Sequence, residues 1–165
     1  MGCRVGRILF YNKIRRKIMK HIVVVDIDGT IAKVGDRLKY LQQEKKDWDS
    51  FYEHCDEDKP FMDMLTLVST LEQDYVIIFC TGRRESVREK TEEWIDDHFG
   101  HDFTYHLFMR PDGDHRHDTE VKPELLANAG VSPKEVLCIL EDRDSMVAKW
   151  RELGYRCLQV DRGDF

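Results

Sequence analysis

Two carboxylates, a glycine and a hydroxyl close an apolar run at Asp26, Asp28, Gly29 and Thr30, and no other residues in the chain are better spaced for chemistry. Asp26 and Asp28 are two apart, so in extended backbone both project to one side. There they can share a cation, or one can attack while the other moves protons. An Asp-Gly turn after a strand would account for Asp28-Gly29 but not for Asp26. Asp-x-Asp-Gly-Thr is expected by chance in roughly one chain of this length in a thousand, which favours a chemical reading.

Two more apolar runs end in reactive groups. Tyr75 to Cys80 leads into Thr81-Gly82-Arg83. A helix is expected to follow at once, with Val87, Thr91, Trp94, Ile95 and Phe99 as its buried stripe, so that a hydroxyl, free N–H groups and a helix N-terminus would meet as a phosphate site. Val136 to Leu140 ends in Glu141-Asp142. Acids gathered at strand ends repel one another unless a cation sits among them, and Mg²⁺ is the usual hard cation beside phosphate. An acidic turn opening a helix also suits Asp142. Lys122, on a helix after the Arg110 to His117 loop, could extend its ammonium toward the same place. His115 and His117 with Asp112 and Asp114 are zinc-ligand types, but a polar Gly-containing loop reads as solvated surface, and two close histidines do not complete a tetrahedral site.

The elements that must position these groups follow from the apolar pattern. Five strand-like runs, near residues 21–25, 75–80, 103–109, 136–140 and 155–160, alternate with helical stripes. That alternation implies a parallel α/β sheet. Pro60 is expected to open a helix with Phe61, Met64, Leu65, Val68 and Leu71 inward, and Met146, Val147, Trp150 and Leu153 make the last stripe. Between Ile31 and Lys59 there is only a polar, charged connection, too short for a core of its own. It holds Arg37, Trp48, Phe51 and Tyr52. Those aromatics could stack on bases or pin a short helix to the body.

The 165 residues, 41% hydrophobic and 35% charged, suit one globular domain at 21–165 behind a basic extension at 1–20. That extension carries seven Lys or Arg and no acid, so the rest of the chain is strongly acidic although the net charge is only −6. It suits a dispensable leader better than a targeting sequence or a nucleic-acid arm. Five cysteines without a Cys-x-x-Cys pair read as reduced thiols and a cytoplasmic location, the host cytoplasm if the source is viral. No window approaches a membrane span.

Asp-x-Asp-Gly-Thr, the later Thr81-Gly82-Arg83, Lys122 and the acidic pair Glu141-Asp142 together resemble the motifs of the haloacid dehalogenase-like phosphohydrolases. Within them the chain is similar to the 3′-phosphatase domain of bacteriophage polynucleotide kinase-phosphatases, from about Lys20 to Phe165. The shared features include Asp28 to Lys33, Gly82-Arg83, Arg110, Gly113 to Lys122, Glu141 to Arg143 and the ending Trp150 to Phe165. Glu141 departs from this pattern, standing where Asp is common, and Arg37 to Lys59 is more aromatic than usual.

The resemblance implies a Rossmann-like three-layer sandwich whose five-stranded parallel sheet has the order 5-4-1-2-3, with minimal or no cap. It implies a Mg²⁺-dependent phosphomonoesterase acting on 3′-phosphorylated DNA or RNA ends, with a nucleotidase or a non-catalytic adaptor as alternatives. Asp26 would attack phosphorus, Asp28 would donate and accept protons, and Thr81 and Lys122 would oppose the charge on the phosphoryl oxygens. Gly82, Arg83 and Arg110 would bind substrate. Asp26, Asp28 through its carbonyl, Glu141 and Asp142 would hold Mg²⁺. The chain has no Gly-x-x-x-x-Gly-Lys-Ser/Thr loop, so a kinase or ligase partner would be a separate protein.

Overall fold

A computed structural model describes residues 21–163, so the basic extension expected at 1–20 lies outside the described residues. Strand β1 (Ile22–Val25) is central and pairs in parallel with β4 (Val76–Arg84) on one side and β6 (Val136–Arg143) on the other. Beyond them lie β5 (Tyr105–Arg110) and β7 (Cys157–Gly163), also parallel. Two short strands, β2 (Ala32–Lys33) and β3 (Lys59–Pro60), make a separate antiparallel pair.

Numbered over all seven strands, the main sheet has the order 5-4-1-6-7 where the five expected strands are numbered 5-4-1-2-3. The numerals differ because β2 and β3, two-residue strands without an apolar alternation to mark them, enter the count; with these two left out and the sheet read from its other edge, the five strands stand in the expected order. The neighbours of β1 are the strands that lead to Thr81 and to Glu141.

Successive side chains of β1 point to opposite faces, and each face has its own core. Val23 and Val25 join Phe79 and Leu107 beneath α2 (Met62–Glu72) and α3 (Arg88–Phe99), whose Leu65, Val68, Trp94 and Ile95 are buried there. Val24 joins Ile78 and Ile139 beneath α4 (Asp118–Asn128) and α5 (Asp144–Glu152), through Leu126, Met146, Val147 and Trp150. Helices therefore cover both faces of a sheet whose strands read as continuous Val/Ile runs. Cys55, Cys80, Cys138 and Cys157 are buried free thiols.

Three local expectations are corrected. Pro60 lies in β3, and the helix after it starts at Met62. Leu153 is exposed, because α5 ends at Glu152. Extended backbone continues past Cys80 to Arg84, and α3 begins only at Arg88 after a 3-10 turn at Glu85–Val87.

The connection after β1 folds as a 3-10 turn (Asp36–Tyr40), a short helix α1 (Trp48–Glu53) and a second 3-10 turn (Cys55–Glu57). The Asp47 side chain caps α1 by accepting the Ser50 N–H at 3.0 Å. Phe51 and Cys55 anchor the segment to the body, and the Trp94 indole donates to the Asp58 carbonyl at 2.7 Å. It lies against α3 and the carboxyl end of β4 without forming a separate cap.

Candidate active site

Parallel strands of an open sheet direct their carboxyl ends to one crevice, and here β1 and β6 bring Asp26, Glu141 and Asp142 together. All three are buried, and one carboxylate oxygen from each lies within 4.8 Å of the others. Lys122 on α4 reaches between them, its Nζ donating to Asp26 Oδ1 at 2.6 Å and to Glu141 Oε2 at 3.0 Å. Burial first, then Glu141, pushes the Asp26 carboxyl well up. The same two causes push Asp142 up to about 7. Burial would lower Lys122, but Asp26 and Glu141 hold it well above its ordinary range, as an ammonium.

One ammonium does not balance three buried carboxylates, and the excess negative charge with its all-oxygen donor set fits a hard divalent cation such as Mg²⁺. Gly29, at φ 88°, and Gly163 make room for this group: a Cβ on either would come within 2.2 Å and 1.7 Å of Asp142 Oδ2. Thr30 Oγ1 donates to Asp142 Oδ1 at 3.4 Å. His115 and His117 belong to no metal-binding group among the described residues.

Asp28 faces the other way. Its Oδ1 accepts from Arg37 Nη2 at 2.6 Å and from Arg83 Nε and Nη2 at 3.0 and 2.7 Å. Burial would raise its pKa, but Arg37 and Arg83 hold it well below the carboxylate range. Its side chain therefore stays outside the acid cluster.

Arg83, expected to bind substrate, is wholly buried, pairs with Asp28 and does not line the cavity. Arg110 does line the cavity, with most of its donors already engaged. Its Nε donates to the Gly82 carbonyl at 3.1 Å, Nη1 donates to the carbonyls of Asp114 and Arg116, and Nη2 to the Asp118 carboxylate. It braces the loop after β5 and has little donor capacity left for a phosphate.

Thr81 is fully buried, its Oγ1 accepts the Arg83 N–H at 3.1 Å, and it does not line the cavity either. Because α3 begins at Arg88, the helix N-terminus expected beside Thr81-Gly82 is not there. Gly82 does line the cavity, and a Cβ on it would meet Asp118 Oδ1 at 2.7 Å.

Asp58 and Asp118 were missed from sequence, and Arg37 was noted only as a member of the connection after β1. Arg37 is buried and pairs with the buried Asp58 through Nε at 2.9 and 3.0 Å, while its guanidinium also covers the Phe51 ring at 4.2 Å. Asp118 accepts from Arg110 and, at 2.8 Å, from Arg143 Nη1. Burial opposes the Asp118 charge, but Lys122, Arg143 and Arg110 hold its carboxyl down. No local pattern marks Arg37, Asp58 or Asp118, since each lies in a charged stretch. Without Asp58, two buried guanidinium groups, Arg37 and Arg83, would share the single carboxylate of Asp28, so Asp58→Ala should destabilise the fold by about 3–5 kcal/mol in a chemical unfolding titration. A loss below about 1 kcal/mol would mean that Asp28 and water suffice for both.

These groups open into a cavity of about 330 Å³. Asp26, Asp28, Lys122 and Glu141 line it together with Trp48 and Tyr52 of α1, His115 and His117 of the loop after β5, and Arg84 and Arg143. Catalytic-type acids, one buried lysine and peripheral cations thus face a single space. No helix among the described residues is long and apolar enough to cross a membrane.

Residues 20–165 match the family model for the polynucleotide kinase PNKP phosphatase domain. A protein of Autographa californica nuclear polyhedrosis virus, described as a bifunctional polynucleotide kinase/RNA ligase, is 31% identical over 133 residues, covering 79% of this chain and 18% of that protein. Two structures of the Pnkp1/Rnl/Hen1 complex, one described as an RNA repair complex, superpose with TM-scores of 0.73 and 0.74. Their identities are 28% and 29%, covering 90% and 88% of this chain but 48% and 44% of theirs. The chain therefore spans about half, or less, of these relatives. The haloacid dehalogenase-like hydrolase SP0104 from Streptococcus pneumoniae shares the fold, with a TM-score of 0.59 at 14% identity over 85% of this chain and 84% of its own. A match that runs through the whole described sheet and its acidic crevice makes this chain a member of the polynucleotide kinase PNKP phosphatase domain family, a haloacid dehalogenase-like phosphatase.

Proposed function

We propose that the chain removes 3′-phosphates from DNA or RNA ends as a Mg²⁺-dependent phosphomonoesterase, through an aspartyl-phosphate on Asp26. The observation that carries this reading is the Asp26–Lys122–Glu141–Asp142 cluster at the floor of a cavity rimmed by cations and aromatic rings.

Asp26 attacks phosphorus, the bond to the 3′ oxygen breaks, and the phosphoryl group passes to the carboxylate. Water then attacks the aspartyl-phosphate and releases inorganic phosphate. Asp28 takes the proton from that water; Arg37 and Arg83 keep it ionised and so free to accept, while weakening it as a base. Donation to the leaving alcohol in the first step requires Asp28 to gain a proton beforehand, against the two arginines. Lys122 touches Asp26 and can oppose the charge that develops on the phosphoryl oxygens, with the Gly82 backbone at the same cavity wall. Asp26, Glu141 and Asp142 would hold Mg²⁺, which when bound neutralises phosphoryl charge. Thr81, shielded from the cavity, serves by positioning Arg83.

The acidic body disfavours a long phosphate backbone unless cations compensate locally. Arg84 and Arg143 at the cavity supply that compensation at the strand terminus. A separate kinase or ligase would complete the end-healing sequence, in keeping with the company that the relatives keep.

Phosphate release should be compared on a 3′-phosphorylated oligonucleotide, its 5′-phosphorylated counterpart and free mononucleotides. The 3′-phosphorylated strand should be hydrolysed fastest. Turnover confined to mononucleotides would make the protein a nucleotidase, and no turnover of any would leave an adaptor. Chelation with EDTA should silence the enzyme, and adding Mg²⁺ back should both restore activity and raise the melting temperature, since an ion bound only by the folded state stabilises it. Full activity after thorough chelation would remove the metal from the mechanism.

A further inference from the structure

All three aromatic residues of helix α1 belong to the cavity wall, but they are covered to different degrees. Phe51 is buried and fastens the helix, with the Arg37 guanidinium across its ring. Trp48 and Tyr52 stand beside it, their rings stacked 26° from parallel with centroids 6.0 Å apart. Trp48 remains 40% exposed, whereas an indole that served only to pin the helix would be covered as Phe51 is. The Arg84 guanidinium lies 5.1 Å from the Tyr52 ring centre and pairs with Asp49, which holds this wall in place.

The cavity is also larger than its floor requires. About 330 Å³ falls within the range of pockets that enclose small organic ligands, whereas the phosphoryl group needs only the space above Asp26 and Lys122. The remaining wall offers stacked rings with a cation beside them, a surface suited to a flat, uncharged π-system and sequence-tolerant in what it accepts. The site already calls for a phosphate at the floor, and the terminal nucleotide of a strand joins such a ring to that phosphate.

Resting on the 3′-phosphatase reading, we propose that Trp48 and Tyr52 form the platform on which the terminal base of the 3′-phosphorylated strand stacks. Arg37 touches both Phe51 and Asp28, so the element that carries the platform is tied to the group that moves protons. A base seated on α1 thereby sets the distance of its own 3′-phosphate from Asp26. This makes Trp48 and Tyr52 specificity-determining residues and gives the enzyme a preference for strand ends that retain a base.

A cycle between enzyme and substrate tests this. Wild type, Trp48→Ala and Trp48→Phe are each assayed on an oligonucleotide 3′-phosphate with an intact terminal base and on one whose terminal sugar is abasic. Removing the base should raise the wild-type KM about ten-fold or more, and Trp48→Ala should raise the KM for the intact strand by a similar factor, with kcat changed little. The two losses should not multiply, and Trp48→Phe should recover most of the affinity. Losses that do multiply, or a Trp48→Ala protein with wild-type KM on the intact strand, would overturn the platform while leaving the 3′-phosphatase reading standing. Absence of any turnover of 3′-phosphorylated strands by wild type would overturn both.

Discussion

Asp26→Asn should lower turnover of a 3′-phosphorylated oligonucleotide by at least about three orders of magnitude, the scale on which removing a catalytic nucleophile acts. Asparagine keeps the shape of the side chain and an oxygen that can accept from Lys122, so the geometry at 2.6 Å has no reason to collapse. What is lost is the anionic oxygen that attacks phosphorus. The substitution also removes one of three neighbouring buried carboxylates, of which Asp26 and Asp142 are pushed up first by burial and then by Glu141. The metal-free variant should therefore melt at or slightly above the wild-type temperature. Near-normal turnover by Asp26→Asn would require another nucleophile.

Lys122→Ala should damage both activity and stability. Loss of a buried cation facing the phosphoryl oxygens should cost about 10²- to 10³-fold in turnover, on oligonucleotide and p-nitrophenyl phosphate alike. In the fold it would leave Asp26 and Glu141 without their paired ammonium, and breaking a buried pair costs about 3–5 kcal/mol. The sign of the metal response then separates the two effects. Since the acid cluster would carry one compensating charge fewer, Mg²⁺ should raise the melting temperature of Lys122→Ala by more than it raises that of wild type. Equal melting curves for the two proteins, with and without Mg²⁺, would mean that Lys122 does not hold the cluster together. Arg110→Ala should differ from this in kind: its bonds to the carbonyls of Gly82, Asp114 and Arg116 make it a brace, so its removal should loosen the loop after β5 and lower activity on every substrate.

The centre of the site was legible in the sequence for a simple reason. Buried parallel strands must read as Val/Ile runs, so acids just beyond Val25 and Leu140 had to lie at one sheet edge, and Asp26, Glu141 and Asp142 do meet there. Lys122 was harder, because only the packing of α4 against the sheet takes its ammonium into that cluster.

The partners of Arg83 and Arg110 were not legible, because residue type says that a guanidinium can bind phosphate but not which acid already holds it. In the structure Asp28 holds one and Asp118 the other. The connection after β1 hid the rest. Arg37 and Asp58 are 21 residues apart, and a charge destined for burial looks in sequence like any solvated charge. The extension of β4 through Thr81-Gly82-Arg83 to Arg84 was equally hidden, since polar residues at the end of a strand read as the beginning of a loop.

The central claim is that the 3′-phosphoryl group passes through Asp26, and rapid quenching of a reaction with an oligonucleotide radiolabelled in its 3′-phosphate tests it most directly. The account predicts label on the protein before it appears as inorganic phosphate, located by peptide mapping to Asp26, discharged by hydroxylamine and absent from Asp26→Asn. Label that moves from oligonucleotide to free phosphate without ever residing on the protein, or that is found on a residue other than Asp26, would contradict it.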